Sequence, residues 1–239
     1  QTINGSGTLF TDDPQETINY VEKHDNETLF DQNVFKLPNG TGAPGDCGGG
    51  AYSVPTVSLA DRVRAQNLGT SIVLLSQGIP FIQMGQDILR SKSLDRNSYD
   101  SGDWFNRVDW SYSSNYFGSG LPPTWDNNSR WAIMTPLLNN SSLDPSSAEI
   151  NAAAANMREM LRIRKSSPLF RLRTEAEINA RITHYNTDNA KQGLLAYSIS
   201  DMVGSDLDPT YDMVIVFFNS NKISQTLTIN DLPEGITLH

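Results

Sequence analysis

The chain has 239 residues, 38% of them hydrophobic and 19% charged, a composition that excludes a disordered protein. Its 27 acidic and 18 basic residues give a formal net charge of -9, so nucleic acid is not expected as a partner. No apolar run approaches the roughly 18 residues of a membrane-spanning helix. With one cysteine, Cys47, and three histidines, we expect neither an internal disulfide nor a zinc site built from several Cys or His side chains.

The first predicted element is a strand over residues 17–22, where β-branched and aromatic side chains are concentrated. It leads directly into the sequence His24-Asp25-Asn26-Glu27. Residues 38–53, which contain Cys47, are dense in Gly and Pro and are predicted to form a loop.

A helix is predicted next, over residues 58–77, because Leu59, Val63, Leu68, Ile72 and Leu75 recur at helical spacing. The apolar run 79–84 then resembles a fully buried parallel strand.

The order strand, loop, helix, strand predicts a βαβ unit, as in open α/β sheets and closed barrels. In both architectures the active site lies at the carboxyl ends of the strands. His24-Asp25 and Asp87 fall at such ends.

Residues 86–145 show little periodicity and contain all four Trp, namely Trp104, Trp110, Trp125 and Trp131. A loop of this length in a compact domain is usually functional or disordered, and its aromatic content argues against disorder. Ser146 and Glu149 then form the capping-box pattern that begins a helix, which basic residues and Pro168 end.

The pattern changes after about residue 170. Segments 181–187, 194–200, 213–218 and 226–229 are predicted to be strands without intervening helices, which is typical of an antiparallel β domain. A two-sheet sandwich has about seven strands, so the expected sandwich is incomplete.

Three interpretations of His24-Asp25 are open from the residues alone. The pair can be structural, with Asp25 capping a turn. It can bind metal in a phosphohydrolase, but the other histidines, His184 and His239, fall within the predicted β domain. It can also hold the hydroxyls of a distorted sugar ring, where the carboxylate stabilises an oxocarbenium-like transition state.

Residues 20–31, which read YVEKHDNETLFD, resemble the fourth conserved stretch of the α-amylase superfamily in its pullulanase and limit dextrinase form. Residues 76–81 resemble the last barrel strand of that superfamily. The stretch 88–106, ILRSKSLDRNSYDSGDWFN, resembles pullulanase-type debranching enzymes specifically, and residues 120–123 and 166–172 agree. Because these matches keep the same order along the chain, the sequence is identified as a member of this family, corresponding to its C-terminal portion.

The resemblance implies an α/β region followed by an all-β region. Residues 1–170 would be the C-terminal part of a (β/α)8 TIM barrel, with His24-Asp25 after the seventh strand and 79–84 as the eighth. Residues 171–239 would be an antiparallel β-sandwich domain, and both domains would be truncated.

The resemblance also implies the site. Asp25 would be the catalytic carboxylate that holds and distorts the sugar ring at the cleavage point, and His24 would bind a neighbouring hydroxyl. Arg96, with Asp126 as its partner, would contact glucose units on the non-reducing side. Further substrate-binding candidates on the same rim are Asn26 and Asp95.

Retaining glycosidases need a nucleophile and an acid/base about 5 Å apart, and the resemblance places this Asp and Glu on earlier strands. Glu16 and Glu22 cannot replace them. We therefore expect the chain alone to be inactive and to fold poorly without the rest of the same polypeptide. The parent protein would cleave α-1,6 linkages in pullulan, starch or limit dextrins without a required cofactor.

Two alternatives remain. One is another α-amylase relative, such as an isoamylase or a neopullulanase, and the other is a non-catalytic module that binds α-glucan. Most of the Trp are expected to anchor the long loop, with one or two in contact with glucan. Asp100, Asp103 and Asp109 have the oxygen ligands of a Ca²⁺ site, although solvated turn residues are the stronger interpretation.

Overall fold

A computed structural model describes residues 11–37, 57–188, 190–230 and 232–237. It divides them into two compact units, one within 15–166 and the other combining 11–14 with the residues from 167 onward. The predicted loop 38–53 with Cys47, and His239, lie outside the described residues. The expected domains 1–170 and 171–239 stay a prediction. None of the helices in the described ranges is long and apolar enough to cross a membrane.

The unit within 15–166 combines helices with a short parallel sheet. Its elements are β1 (Ile18–Asn19), α1 (Leu29–Lys36), α2 (Leu59–Leu75), β2 (Ile79–Pro80), α3 (Asp103–Asn106), α4 (Thr124–Asn127), α5 (Trp131–Leu138) and α6 (Ser147–Ser166).

The expected parallel pairing is present, with Ile18 opposite Ile79 and Asn19 opposite Pro80. Both strands are shorter than predicted: the chain bends soon after β1, and the pairing ends where the Phe81 amide donates to the Asn19 carbonyl at 2.8 Å. Ile79 and Phe81 are also half-exposed, contrary to the prediction of a fully buried strand. The described part of this sheet has two strands, so one edge of each strand is unpaired.

Side-chain caps explain where the helices begin. Thr28 accepts a hydrogen bond from the Asp31 amide at the start of α1, and Ser58 accepts one from the Asp61 amide at the start of α2, each at 3.2 Å. The predicted capping box of Ser146 and Glu149 begins α6, with the Ser146 amide donating to the Glu149 carboxylate at 2.8 Å.

Two arginines satisfy the carbonyl groups at helix ends. Arg62 donates to the Asn33 and Val34 carbonyls in the last turn of α1. Arg164 donates to the carbonyls of Leu74, Ser76 and Gly78 at the end of α2, at 2.7–2.8 Å.

The apolar face predicted for α2 is therefore only partly correct. Arg62 and Gln66 are fully buried, while Leu68 and Ile72 are half-buried. The buried polar groups are accommodated because each has a backbone partner, as when Gln66 donates to the Gln86 carbonyl at 3.0 Å.

Residues 86–145 are not the irregular loop that the sequence suggested, since they contain α3, α4 and α5. Much of the stretch is interior. The buried hydrophobic cluster of this unit draws on α1, α2, α5, α6 and the segments before α3, α4 and α6. Its members are Phe30, Val34, Phe35, Val63, Ile88, Leu89, Leu94, Phe117, Met134, Leu137, Leu143, Ile150, Ala153 and Ala154.

One carboxylate joins α1 to the segment 91–94. Asp31 is completely buried and accepts from the Ser91 hydroxyl at 2.6 Å, the Lys92 amide at 2.8 Å and the Leu94 amide at 3.3 Å. Ser93 and Leu94 have φ values of 54° and 67°, which are unfavourable for residues other than Gly. The hydrogen bonds to Asp31 compensate for this strain.

The other unit contains a three-stranded antiparallel sheet of β3 (Ile182–Tyr185), β4 (Leu194–Ser200) and β5 (Met213–Asn219) in sequence order. These three agree with the predicted strands. The predicted strand at 226–229 was wrong: side-chain exposure alternates there, but the segment is not assigned to a strand.

A short helix, α7 (Glu175–Arg181), precedes this sheet and was missed. Its signal was Thr174-x-x-Glu177, where the Thr174 hydroxyl accepts from the Glu177 amide at 3.2 Å. A sandwich with a second sheet is not confirmed.

We predict that Asp31→Ala lowers the free energy of unfolding by at least about 3 kcal/mol, because three buried donors lose their acceptor. Asp31→Asn should cost less, since its amide oxygen can still accept from the Lys92 and Leu94 amides. Urea unfolding measures both, with the exposed Asp100→Ala as a control expected within about 0.5 kcal/mol. A loss below about 1 kcal/mol in Asp31→Ala would contradict this role.

Candidate functional site

The turn that follows β1 is exposed between two buried carboxylates. Glu22 accepts from the Leu29 amide, so its side chain spans the turn and reaches the beginning of α1. Glu27 accepts from Arg130 and from Gln32, both at 2.7 Å. Both ends of the turn are therefore attached to the interior of the unit.

Asp25 lies at the exposed centre of this turn. Lys23 donates to one of its carboxylate oxygens, and His24 Nε2 lies 3.4 Å from the other. The hydrogen bond from Lys23 lowers the pKa of Asp25, and the nearby Lys23 and Lys92 charges lower it further, while burial opposes the shift. Asp25 is therefore an accessible carboxylate that stays ionised at neutral pH and can accept hydrogen bonds or face a developing positive charge.

The segment 85–95 supports the turn from below and is nearly all buried. Lys92 Nζ donates to the His24 carbonyl at 3.4 Å. Gly85 is required at its position, because it has φ 91° and a Cβ there would lie 2.7 Å from Arg90 Cδ. Arg90 in turn donates to the Asn106 carbonyl at 2.7 Å.

Asp95 ends this segment and is 0% exposed. Its Oδ1 accepts from the Asn97 amide and from Asn127 Nδ2, both at 3.1 Å. Asn127 ends α4, the helix that carries Asp126. Asp95 thus joins the segment bearing Arg96 and Asn97 to the helix bearing Asp126.

These elements surround a pocket of about 360 Å³. Every side chain that lines it is polar or charged, and the lining consists of Lys23, Asp25, Asn26, Arg96, Asn97 and Asp126. Such a lining offers both donors and acceptors at close range, which suits a ligand with many hydroxyl groups.

The pocket brings together four of the six predicted site residues, namely Asp25, Asn26, Arg96 and Asp126. His24 borders Asp25, but its side chain is 79% exposed and does not line the pocket. Asp95 is buried behind the wall and does not line it either. The sequence analysis missed Lys23 and Asn97, whose one signal was that each adjoins a predicted site residue.

Burial shifts the pKa values of the ionisable groups beneath the site. Burial raises the pKa of Glu22 from its ordinary 4.5 to about 7 and that of Asp31 from 3.8 to about 6. Burial also lowers the pKa of Lys92, although nearby carboxylates oppose this shift. The interior below the exposed turn is therefore a network of compensated charges.

Of the three Asp residues considered as Ca²⁺ ligands, Asp109 forms hydrogen bonds within its own loop. Asp109 accepts hydrogen bonds from its own loop, including the hydroxyls of Ser111 and Ser113 at 2.6 Å, and these bonds lower its pKa. Across the part of the chain that the structure describes, no group of three His, Cys, Asp or Glu side chains could hold a metal ion. Asp87, also at a strand end, is half-buried and does not line the pocket.

The four Trp differ in their surroundings. Trp131 packs against the core and donates to the Pro122 carbonyl at 2.9 Å, as expected of an anchor. Trp104 donates to the Ser119 carbonyl at 2.9 Å and stacks on the Arg107 guanidinium. Trp110 and Trp125 are about half-exposed. Trp131 and Trp104 therefore anchor the long loop, as expected for most of the four Trp.

Comparison with known proteins places this geometry in a family. Residues 112–239 match the model described as pullulanase-type alpha-1,6-glucosidases, C-terminal. The chain therefore belongs to the pullulanase-type family of debranching glycoside hydrolases, and the resemblance predicted from the sequence is confirmed.

Relatives agree with this assignment. The chain is 45% identical to pullulanase 1, chloroplastic, of Arabidopsis thaliana, over 87% of this chain and 20% of that protein. It is 37% identical to a pullulanase of Klebsiella pneumoniae, over 94% of this chain and 19% of that protein. The chain thus spans about a fifth of the length of these relatives.

Solved structures agree as well. The crystal structure of Klebsiella pneumoniae pullulanase complexed with maltotriose superposes with a TM-score of 0.79 at 37% identity, over 92% of this chain and 20% of that chain.

We predict that Glu22→Gln weakens the pH dependence of stability. Because the folded state holds this proton more tightly than the unfolded state, Glu22 makes stability fall as pH rises from 4.5 to about 7. The shift corresponds to about 3 kcal/mol, at about 1.4 kcal/mol for each pKa unit. Urea unfolding between about pH 5 and pH 8 should show this fall reduced in the variant.

Glu149→Gln is the control of opposite sign. The hydrogen bond from Ser146 lowers the pKa of Glu149, so its contribution to stability is present at neutral pH and is lost in acid. Removing that contribution should lower stability above about pH 4.5 and leave the pH dependence between about pH 5 and pH 8 unchanged. An unchanged pH dependence in Glu22→Gln would exclude the titration assigned to Glu22.

Proposed function

We propose that this chain is the part of a retaining glycoside hydrolase that carries the transition-state carboxylate and part of the sugar-binding rim, in a protein that cleaves α-1,6 linkages of pullulan, starch or limit dextrins. The observation that carries the proposal is the convergence of Asp25, Asn26, Arg96 and Asp126 on one polar pocket. The similar Klebsiella pneumoniae pullulanase, whose structure is complexed with maltotriose, supports an α-glucan as the ligand.

In this proposal β1 and β2 are the seventh and eighth strands of a (β/α)8 barrel. Their parallel pairing and the position of the pocket after β1 agree with that architecture. The remaining strands, with the Asp nucleophile and the Glu acid/base, would come from the rest of a longer polypeptide.

Asp25 would act on the ring at the cleavage point. Its ionised oxygens would accept hydrogen bonds from the hydroxyls of that ring. They would also stabilise the positive charge that develops on the ring. Lys23 donates a hydrogen bond to one of these oxygens in the structure, but the Lys23 and Asp25 side chains are both partly exposed. Such a surface pair contributes little stability, so sugar hydroxyls can replace the ammonium at low cost. His24, on the same turn, would bind a neighbouring hydroxyl.

Arg96, Asn26 and Asp126 would bind further glucose units. Guanidinium donors and carboxylate acceptors suit the hydroxyl pairs of a sugar. Asp95 would not touch the sugar, because it is buried. Instead it would fix the positions of both pocket walls through Asn97 and Asn127.

A non-catalytic glucan-binding module is the second candidate, and the exposed Trp side chains favour it. Electrophoresis of the 239-residue chain in a gel containing pullulan separates the two. Retarded migration without release of reducing sugar supports the module. Neither binding nor hydrolysis by the chain, with hydrolysis by a longer polypeptide, supports an enzyme whose site is shared with other strands.

We expect Asp25→Asn to lower kcat for pullulan at least about 100-fold in a polypeptide that also contains the nucleophile and the acid/base. KM should change much less, since the interaction is strongest in the transition state. Release of reducing ends measures both constants. The exposed Asp103→Asn is the matched control and should keep the activity of the parent.

The same series tests the proposal for the chain alone. The 239 residues by themselves should release no reducing sugar from pullulan. Hydrolysis by the purified chain that Asp25→Ala abolishes would contradict the need for further strands, and full activity of Asp25→Asn in the longer polypeptide would refute the role of Asp25.

A further inference from the structure

The part of the pocket that the described residues line offers no surface for the apolar faces of sugar rings. All six lining residues are polar or charged, and its volume of about 360 Å³ is near the lower end of the range of about 300–1,000 Å³ that is typical of ligand sites. A glucan of several units therefore extends beyond the part of the pocket that these residues line. Flat aromatic rings provide the stacking that such a polar pocket does not.

An exposed pair of aromatic rings lies on the two segments that carry the pocket residues Asn97 and Asp126. Tyr99 follows Asn97 by two residues, and Trp125 directly precedes Asp126, while both Asn97 and Asp126 line the pocket. The two rings contact each other edge to face, with centroids 5.5 Å apart and planes at 79°. Tyr99 is 82% exposed and Trp125 is 48% exposed.

The two rings rest on the same buried support as the pocket. Asp95 accepts from the Asn97 amide on the Tyr99 side and from Asn127 on the Trp125 side. Asn127 also donates to the Pro123 carbonyl at 3.1 Å, which fixes the short helix α4 that carries Trp125. The rings are thus held at a defined place beside the pocket, which reduces the entropy lost on binding.

The other exposed Trp side chains differ from this pair. Trp104 has the Arg107 guanidinium 3.8 Å from its ring centre, and Tyr116 contacts the same guanidinium at 3.8 Å. Trp110 is 59% exposed, but it adjoins no pocket-lining residue in the sequence. Trp110 is therefore a suitable control for removing an exposed indole of similar area.

We propose that Tyr99 and Trp125 form an outer binding position, at which a glucose ring of the α-glucan stacks while neighbouring units occupy the pocket. This position rests on the proposed function and extends it to substrates longer than the pocket can hold. Its signature is a dependence of affinity on chain length. A short oligosaccharide confined to the pocket does not reach the rings, whereas a longer one gains the stacking contact.

The test measures the Kd of maltotriose and of maltohexaose by calorimetry, in the longer polypeptide that carries this chain. Both are linear α-1,4 oligosaccharides, so an α-1,6 hydrolase does not consume them. The parent should bind maltohexaose more tightly. Trp125→Ala should weaken maltohexaose binding roughly tenfold and leave maltotriose binding unchanged. Trp125→Phe should keep most of the difference, and Trp110→Ala should match the parent.

Other outcomes overturn the proposal. Equal losses for both sugars would make Trp125 a support of the pocket instead of a separate position. A lower melting temperature with both Kd values unchanged would mean that another segment of the polypeptide covers the rings. If Trp125→Ala does not fold, Tyr99→Ala gives the same comparison. If the parent binds neither sugar, the proposed function fails, whereas binding without length dependence rejects only the outer position.

Discussion

The carboxylate of Asp31 holds the segment 91–94 against α1, and the position of the candidate site depends on this attachment. It accepts three hydrogen bonds from that segment while completely buried. Two of the residues it holds, Ser93 and Leu94, have left-handed backbone conformations. An unpaired carboxylate in this interior would be strongly destabilising, so the hydrogen bonds and the strained backbone are stable only together.

This attachment helps to fix the backbone on both sides of the pocket. On one side, Lys92 reaches the His24 carbonyl in the turn that carries Asp25. On the other, Asp95 follows directly in the chain and fixes Asn97 and Asn127. Buried polar contacts therefore hold the segments that carry the pocket residues. Asp25, Asn26 and Arg96 stay exposed, while buried contacts determine the backbone positions of their segments.

The sequence predicted which residues meet at the pocket better than it predicted the support beneath them. Asp25, Asn26, Arg96 and Asp126 could be named because their local sequences resemble family stretches, and the pocket unites them. Parallel pairing of β1 with β2 followed from the order of strand, helix and strand.

The supporting residues had no comparable signal. Asp31, Arg62 and Asp95 are charged, and a charged residue in a sequence resembles a surface residue until the structure shows what it pairs with. Hydrophobic periodicity predicted the buried face of α2 only in part, since the polar Arg62 and Gln66 also occupy it. The missed helices α1 and α7 did carry a signal, a Thr followed three residues later by an acidic side chain, which is recognisable once side-chain caps are weighed equally with apolar spacing.

The contrast between Asp25 and Glu22 shows what the fold achieves electrostatically. The two carboxyls are three residues apart, yet the pKa of Asp25 is lowered and that of Glu22 is raised to about 7. Asp25 is exposed to solvent and accepts a hydrogen bond from the Lys23 ammonium. Glu22 is buried and accepts a hydrogen bond from the Leu29 amide. Burying Glu22 costs stability near neutral pH, but its side chain ties the turn to α1. The turn can then present Asp25 in its charged form without burying that charge, which is the condition for a carboxylate that acts on a developing sugar cation.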